Sequence, residues 1–243
     1  MIYISLTTIP ERFKNLNKTI SSLLSQKKKA DKIFINIPKE YTRFKEIIAN
    51  EQIPKFNSDI VEIIRCEDYG PGTKILGSLK KLKKDSLVIL VDDDNVYKDY
   101  MIEKFFYFHK KAPNNAYSFY VHPLGNFGVG QGADGFAINT NHLDGINDFY
   151  ERVVKDHNEL FLHDDLWISF FLYFFRKNKI LSLQEHLKKD NQGNRSLIYK
   201  THIVTSGLAT IYDKNIIEAV KKRDKIAFES FKYMQKKVKD LNF

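Results

Sequence analysis

Short apolar runs alternate with amphipathic segments over the first third of the chain. Four runs rich in aliphatic residues predict strands, at residues 2–6, 32–37, 60–64 and 86–91. Apolar residues recur at helical spacing over residues 12–26, and a second helix is predicted over residues 73–83. The last of the four runs is apolar throughout, which is typical of a strand buried on both faces. Strands that alternate with helices predict a mostly parallel sheet with right-handed crossovers.

The second half of the chain has a less regular pattern. It predicts helices over residues 98–110, 143–154 and 163–175, and strands over residues 116–121, 136–138 and 179–183. Five glycines in residues 125–135 predict a mobile or tightly turning loop. Residues 184–202 have the composition of a loop, residues 188–195 are the best candidate for disorder, and a charged amphipathic helix follows. Because no repeat or linker interrupts the pattern, we expect one α/β domain.

Composition narrows the class of protein. Apolar residues make up 43% of the 243 residues and charged residues 28%, which excludes collagen-like and wholly disordered chains. A single cysteine, Cys66, excludes a disulfide framework and a cysteine-only zinc site. The longest uncharged aromatic stretch, residues 166–175, is too short to cross a bilayer, and the N-terminus lacks the basic region of a signal peptide. We therefore expect a cytoplasmic protein.

The charge balance is basic, with a net charge of +9 from 39 Lys and Arg against 30 Asp and Glu. Such a surface suits nucleic acid, an anionic membrane or a phosphorylated substrate. The lysines occur in short scattered runs, and no long basic tail or arginine–aromatic alternation is present. A solvated surface is the simplest interpretation of these runs.

Three consecutive carboxylates, Asp92, Asp93 and Asp94, follow the most apolar predicted strand. Like charges so close repel and raise one another's pKa, unless a cation neutralises them. They fall at the carboxyl edge of the predicted sheet, where open α/β sheets bind ligands. Asp92 and Asp94 are expected to point the same way and share Mg²⁺ or Mn²⁺. The alternative is an acidic turn that caps a helix beginning near Tyr97.

Two further segments carry candidate chemistry. Residues 67–74 join a predicted strand to a predicted helix, with Gly70 allowing close backbone approach and Lys74 offering a charge for phosphate. The spacing of a P-loop is absent, and a plain turn with a solvated lysine is the alternative. Asp164 and Asp165 open a predicted aromatic helix, where they would serve either as helix-terminal acids or as a general base.

Single residues add weaker signals. Asp134, in the glycine-rich segment, would bind sugar hydroxyls or make an Asx turn. His202 follows a polar loop and would complete a metal site or be an ordinary surface or core histidine. No HxH or HExxH spacing occurs among the histidines, which disfavours a zinc hydrolase.

These blocks together resemble a GT-A-fold nucleotide-sugar glycosyltransferase. They are most similar to the inverting family-two-like enzymes, which include small stand-alone ones encoded by bacteria and large DNA viruses. If the chain is viral, the expected location is the host cytoplasm. The matching blocks, in order, are residues 5–12, 31–38, 69–74, the triplet 92–94 at the family's Asp-x-Asp motif, and 163–165 at its acidic catalytic pair. The resemblance implies a single domain with a mostly parallel sheet flanked by helices. It divides the chain into a Rossmann-like nucleotide-binding half, residues 1–97, and an acceptor-binding half, residues 98–243.

The resemblance also implies roles for individual residues. The residues around the nucleotide would be Thr7, Thr8, Pro10, Arg12, Asp68, Gly70, Lys74, Asp92, Asp93 and Asp134. Asp94 and Asp92 would ligate Mn²⁺ or Mg²⁺ on the diphosphate, and His202 matches a metal ligand found late in some members. Asp165 would be the catalytic base and Asp164 would support it or meet the acceptor. This chain has His-Asp-Asp where Glu-Asp is commonest, so either aspartate is a candidate base.

The implied activity is metal-dependent transfer of a sugar from a nucleoside-diphosphate sugar, a UDP-sugar being favoured, to a hydroxyl of a glycan or glycoconjugate. Inversion by a single displacement with an aspartate base is expected. One alternative is a sugar-phosphate nucleotidyltransferase, although residues 7–12 lack the glycines of its phosphate loop. Another is a basic nucleic-acid-binding protein without catalysis, for which the net charge is the only support, so no nucleic-acid partner is expected. A catalytically silent carbohydrate-binding relative is disfavoured by the intact carboxylates.

Overall fold

The computed structural model describes residues 1–184, 186–187, 197–201 and 216–241. Within them the strands are β1 (Ile2–Thr7), β2 (Lys32–Pro38), β3 (Glu40–Tyr41), β4 (Glu46–Ile47), β5 (Val61–Cys66), β6 (Leu87–Leu90), β7 (Asn95–Tyr97), β8 (Ala116–Ser118), β9 (Val121–Leu124), β10 (Phe127–Gly130), β11 (Phe136–Asn139), β12 (Ile180–Ser182) and β13 (Ile198–Thr201). The α-helices are α1 (Phe13–Leu24), α2 (Thr73–Leu76), α3 (Met101–Lys111), α4 (Ile146–Phe149), α5 (Asn158–Leu162), α6 (Asp164–Phe174) and α7 (Ile216–Asp240). Short 3₁₀ turns cover Pro10–Arg12, Asn50–Gln52, Leu79–Lys81 and Thr140–Leu143, and a π-helical turn covers Tyr150–Val154. None of the described helices is both long and apolar enough to span a bilayer.

A seven-stranded sheet organises the chain, in the order β12-β8-β11-β6-β1-β2-β5. Strands β1, β2, β5 and β6 pair in parallel, β12 pairs in parallel with β8, and β11 is antiparallel to both of its neighbours. The mostly parallel α/β sheet predicted from the sequence is therefore confirmed. The carboxyl ends of β1, β2, β5 and β6 meet at one edge, which is where the loops of a parallel sheet build sites.

Alternate side chains of the central strands supply two hydrophobic cores. Ile4 and Ile89 face the layer that contains α1 and α3, together with Leu16 and Phe105. Tyr3 and Val88 face the opposite layer, with Trp167 and Phe171 of α6. Because both faces are covered, β6 is apolar at every position, as the sequence predicts for a strand buried on both faces.

The second predicted helix is much shorter than residues 73–83. Helix α2 ends after one turn at Leu76. Ser78 is fully buried, and its hydroxyl lies 2.8 Å from the hydroxyl of Ser5 on β1. A 3₁₀ turn follows at Leu79–Lys81, and the Ser5 hydroxyl also donates to the Lys74 carbonyl over 2.5 Å, which fixes the backbone of Lys74 against the sheet.

The glycine-rich segment is not simply a loop. Residues Phe127–Gly130 form β10, which pairs with β9 in an antiparallel hairpin. Gly128 and Gly130 alternate with buried Phe127 and Val129, and a Cβ on either glycine would come within 2.8 Å of a neighbouring side chain. The glycines therefore permit close packing of a strand, and the prediction of a loop is wrong over these four residues.

Several other boundaries differ from the sequence predictions. The acidic triplet is followed by β7, not by a helix, and α3 begins only at Met101, so a helix cap near Tyr97 is wrong. The predicted strand at residues 116–121 is split into β8 and β9, and the predicted helix at 143–154 is split into 3₁₀, α and π turns. Helix α5 was not predicted. Strand β13 lies in a predicted loop and pairs with β7, while the predicted disorder at residues 188–195 falls outside the described residues.

Candidate active site

A cleft of about 290 Å³ opens at the carboxyl edge of the central strands. The structure brings together here most residues that the sequence singles out: Thr7, Thr8, Arg12, Asp68, Gly70, Lys74, Asp92, Asp93, Asp94, Asp164 and Asp165. They come from the ends of β1, β5 and β6, from α2 and from the start of α6, so the fold collects residues separated by up to 158 positions (from Thr7 to Asp165).

The middle acid of the triplet is held inside the protein. Asp93 is 5% exposed, and the Arg12 guanidinium donates to its Oδ1 over 2.6 Å. Burial raises the pKa of Asp93, although Arg12 opposes this effect. The Thr19 hydroxyl on α1 lies within hydrogen-bond distance of the Asp93 carbonyl, at 2.8 Å, so the backbone of the triplet is also fixed. Asp93 therefore anchors the acidic loop to Arg12.

Lys74 lies between two carboxylates at the base of the cleft. Its ammonium donates to Asp92 Oδ1 over 2.7 Å and lies 3.1 Å from Asp164 Oδ2, while the residue is only 5% exposed. Burial alone would lower the pKa of Lys74, but the carboxylates of Asp164 and Asp92 raise it well above its ordinary value. Lys74 is thus a permanently charged bridge between the acidic triplet and the start of α6, not the solvated lysine of the alternative interpretation.

Asp165 sits next to this bridge in a different environment. Its Oδ1 accepts a hydrogen bond of 3.0 Å from the backbone N–H of Gly132. Burial, and then the neighbouring Asp164, raise the pKa of Asp165 well above that of an ordinary carboxyl. No side chain caps the N-terminus of α6, but both acids lie in its first turn, where they also interact favourably with the helix dipole. A carboxylate with a raised pKa is suited to accepting a proton.

The outer acids of the triplet are the cleft's candidate metal ligands. The side chains of Asp92 and Asp94 are 33% and 16% exposed, and burial followed by the charge of Asp92 raises the pKa of Asp94 to about 6. Their hard oxygens and mutual repulsion fit a divalent cation. Among the described residues no three His, Cys, Asp or Glu side chains are grouped to hold a metal by themselves. Proteins commonly bind Mg²⁺ with one or two carboxylates, while phosphate oxygens of the substrate complete the coordination shell.

Two of the predicted residues, Asp134 and Pro10, are not among those that line the cleft, and Asp68 has a second role. Asp134 is 3% exposed and does not line the cleft, and Pro10 opens the 3₁₀ turn behind it. Asp68 lines the cleft and accepts hydrogen bonds from the N–H groups of Thr42, over 2.8 Å, and Gly70, over 2.9 Å. Its carboxylate therefore shapes the turn as well as the cleft. His202 lies outside the described residues.

Sequence reasoning missed part of the cleft wall. The unpredicted lining residues are Ile9, Tyr41, Arg43, Phe44, Pro71, Phe161 and Leu162. Three of them come from the hairpin of β3 and β4, whose two-residue strands are too short to show a hydrophobic period.

A Cβ added to Gly132 would lie 3.1 Å from Lys74 Nζ and 3.4 Å from Asp165 Oδ1. The glycine at position 132 was the sequence feature that could have indicated this close approach to Lys74 and Asp165.

The chain matches the sequence model described as Glycosyl transferase family 2 over residues 6–181. A search of curated proteins finds no match. Among solved structures, the Francisella tularensis 2-C-methyl-D-erythritol 4-phosphate cytidylyltransferase has a TM-score of 0.48 at 14% identity, covering 91% of this chain and 98% of that one. Residues 1–349 of S. aureus TarS have a TM-score of 0.46 at 15% identity, covering 74% of this chain and 58% of that fragment.

The same TarS fragment in complex with UDP-GlcNAc has a TM-score of 0.42 at 13% identity, covering 68% of this chain and 53% of that one. All of these structural likenesses are distant, and the assignment rests on the sequence match, which extends over more than half of the chain. The family predicted from the order of the motifs is confirmed. The chain belongs to glycosyl transferase family 2 and is a glycosyltransferase with the GT-A fold.

Proposed function

We propose that the cleft binds a nucleoside-diphosphate sugar, preferably a UDP-sugar, and transfers the sugar to a hydroxyl of a glycan or glycoconjugate with inversion. One observation carries the proposal: Lys74 joins Asp92 of the acidic triplet to Asp164, directly beside Asp165. The candidate donor-binding acids and the candidate base therefore share one charged cluster. In this proposal residues 1–97 bind the nucleotide and residues 98–243 provide the acceptor side.

The donor would lie along the cleft with its nucleoside against the ends of β1 and β5. Thr7, Thr8 and Gly70 line that part, and Tyr41 closes it by donating a hydrogen bond of 2.7 Å to the carbonyl of Thr8. Gly70 has a φ of +59°, and a Cβ there would meet the Phe161 carbonyl at 2.4 Å. Only glycine lets the loop pass this close to α5, so the width of the cleft depends on it.

Asp94 and Asp92 would hold Mn²⁺ or Mg²⁺ together with the diphosphate. When bound, the cation would neutralise the negative charge on the leaving nucleoside diphosphate. Burial, and then the charge of Asp92, raise the pKa of Asp94 to about 6, so its ionised form would gain from a bound cation. Arg12 Nη1 lies 2.6 Å from Asp93 Oδ1 but 3.4 Å from Asp94 Oδ2, so Asp94 is paired less closely than Asp93.

Asp165 would act as the general base. The Gly132 N–H fixes one oxygen of its carboxylate, and Asp164 beside it is engaged by Lys74. The base removes the proton of the acceptor hydroxyl while that oxygen attacks the anomeric carbon from the face opposite the diphosphate. A single displacement of this kind inverts the anomeric configuration, and it requires no covalent sugar–enzyme intermediate.

Two variants separate donor binding from chemistry. Asp165→Asn keeps an oxygen for the Gly132 N–H, and we expect it to retain the nucleotide-induced rise in melting temperature while transfer falls roughly 10²–10⁴-fold. Asp94→Ala should lose the Mn²⁺-dependent part of that rise. The measurements are thermal shift with nucleoside diphosphates, with and without Mn²⁺, and NMR of the anomeric product.

Three results would contradict the proposal. Full transfer by Asp165→Asn, with loss in Asp164→Asn alone, would assign the base to the other acid. A product with retained configuration would exclude the single displacement. Release of pyrophosphate in place of a nucleoside diphosphate would identify nucleotidyl transfer.

A further inference from the structure

The lysines beside α3 differ from those of the cleft because aromatic rings are their neighbours. Lys28 lies 3.9 Å and Lys110 5.7 Å from the ring centroid of Phe106. Lys111 lies 4.3 Å from the centroid of Tyr107. We call the surface made by Lys28, Lys110 and Lys111 with these two rings the α3 face.

The lysines of the α3 face also differ from other surface lysines in their ion pairs. In the part of the chain that the structure describes, several lysines elsewhere form ion pairs, such as Lys81 with Glu62 and Lys155 with Glu151. None of the three α3-face lysines makes a contact of this kind with a described carboxylate. The adjacent Lys27 differs from Lys28 in this respect, because its ammonium lies 3.2 Å from Asp99 Oδ2.

The positions of the lysines also restrict which ligands can stack on the aromatic rings of the α3 face. Two lysines lie against Phe106 and one against Tyr107, which is 50% exposed. Single-stranded nucleic acid is bound by bases stacking on open aromatic faces, and these faces are occupied by lysine. Arginine, which recognises phosphate and base edges in a bidentate manner, is absent from residues 98–111 and 27–29.

We propose that the α3 face docks onto a bilayer that contains anionic lipid. The ammonium groups of Lys28 and Lys111 lie over the rings of Phe106 and Tyr107, so positive charge and aromatic surface are adjacent on this face. Such a surface suits the membrane interface, where aromatic residues lie at headgroup level and each lysine near an anionic leaflet strengthens binding roughly fivefold. The charge complementarity favours this partner, and the inference is independent of the donor and the mechanism proposed for the cleft.

The test uses the full chain and sedimentation with vesicles. We expect binding to phosphatidylcholine vesicles that contain phosphatidylserine, weaker binding as salt rises, and little binding to phosphatidylcholine alone. The variant Lys28→Glu/Lys110→Glu/Lys111→Glu should bind the anionic vesicles more than roughly 100-fold less tightly, because it removes three positive charges and adds three negative ones. The matched control, Lys80→Glu/Lys83→Glu/Lys236→Glu, changes the net charge equally at exposed lysines outside the α3 face and should bind nearly as well as the unmodified chain.

Folding is checked separately through the nucleotide-induced thermal shift. Because none of the six lysines lines the cleft, both variants should keep the shift that the unmodified chain shows. Equal loss in the two variants would mean that net charge alone drives binding, which overturns the inference. Equal binding to both vesicle types would also overturn it. An oligonucleotide that binds more tightly than the anionic vesicles at the same salt, and is lost in the α3-face variant, would assign the surface to nucleic acid instead.

Discussion

Lys74 and the lysines of the α3 face carry the same charge in opposite surroundings. Lys74 is 5% exposed and lies between the carboxylates of Asp92 and Asp164, whereas Lys28, Lys110 and Lys111 lie at the surface over aromatic rings. A net charge of +9 counts these lysines equally. The comparison shows that the neighbours of a lysine, not the charge total, decide whether it organises a site or a surface.

The two arrangements differ in energy for a simple reason. Removing an ammonium from water costs several kcal/mol, and only close carboxylates offset that cost for Lys74. A surface lysine over a ring keeps most of its hydration and gains about 0.5–1 kcal/mol. Deleting the charge should therefore have a large effect in the cleft and a small effect on the α3 face.

The largest expected effect comes from replacing Lys74. Lys74→Met keeps a long unbranched side chain but leaves the carboxylates of Asp92 and Asp164 without their shared cation. Breaking a buried pair in this way costs roughly 3–5 kcal/mol of the free energy of unfolding. The matched surface change, Lys28→Met, should cost less than about 1 kcal/mol, and urea unfolding measures both.

Equal losses in the two variants would mean that burial of Lys74 contributes no more than a surface contact. A stable Lys74→Met variant that has lost transfer would restrict Lys74 to positioning the acids. That second outcome would agree with the proposed chemistry. It would contradict only the expectation that Lys74 contributes more to the free energy of unfolding than a surface lysine does.

His163 offers a buried basic group without a bridging pair of carboxylates. It is 7% exposed, and burial, followed by the charge of Arg223, lowers its pKa to about 4. Between pH 6.5 and pH 4 the unfolded chain therefore binds a proton that the folded chain does not, so this residue makes the fold less stable as pH falls. The contribution reaches roughly 3 kcal/mol at the acid end of that window.

Urea unfolding as a function of pH measures this contribution. The difference in free energy of unfolding between the unmodified chain and His163→Gln should shrink as pH falls from 6.5 to 4, because glutamine does not titrate. A difference that stays constant with pH would show that His163 is protonated in the folded chain. Lys74 and His163 would then no longer differ in charge state.

How far the sequence predicts this molecule depends on the range of the interactions. The parallel strands and α6 were predicted because their signals are local runs and periods, as in β6 and the aromatic helix. Helix α2 and β13 were not predicted correctly, because the Ser5–Ser78 contact and the pairing with β7 join distant segments. Tertiary contacts of this kind override local propensity.

The candidate site shows the same limit. Asp92, Lys74 and Asp165 were each predicted as chemical groups, since their residue types and positions after strands are informative. Nothing local in the sequence indicated that Lys74 pairs with two of the acids, or that Gly132 donates to the third. Which residues carry the chemistry was therefore predictable, whereas their pairing required the fold.

The smallest expected change in stability, and the sharpest test of cleft geometry, is Gly132→Ala. The new Cβ would lie 3.1 Å from Lys74 Nζ and 3.5 Å from Asp92 Oδ1, so the flexible ammonium must shift by a few tenths of an ångström. We expect a loss of transfer of roughly tenfold, because small displacements of catalytic groups are costly, with nearly unchanged unfolding free energy. Gly125→Ala is the matched control: Gly125 has a φ of +63° and open space around it, so alanine there should cost about 1 kcal/mol of stability and leave transfer unchanged. If both alanine variants lose stability but keep full transfer, the position of the Lys74 ammonium near Gly132 does not limit turnover. The cleft and the α3 face would then differ only in what their lysines contribute to stability.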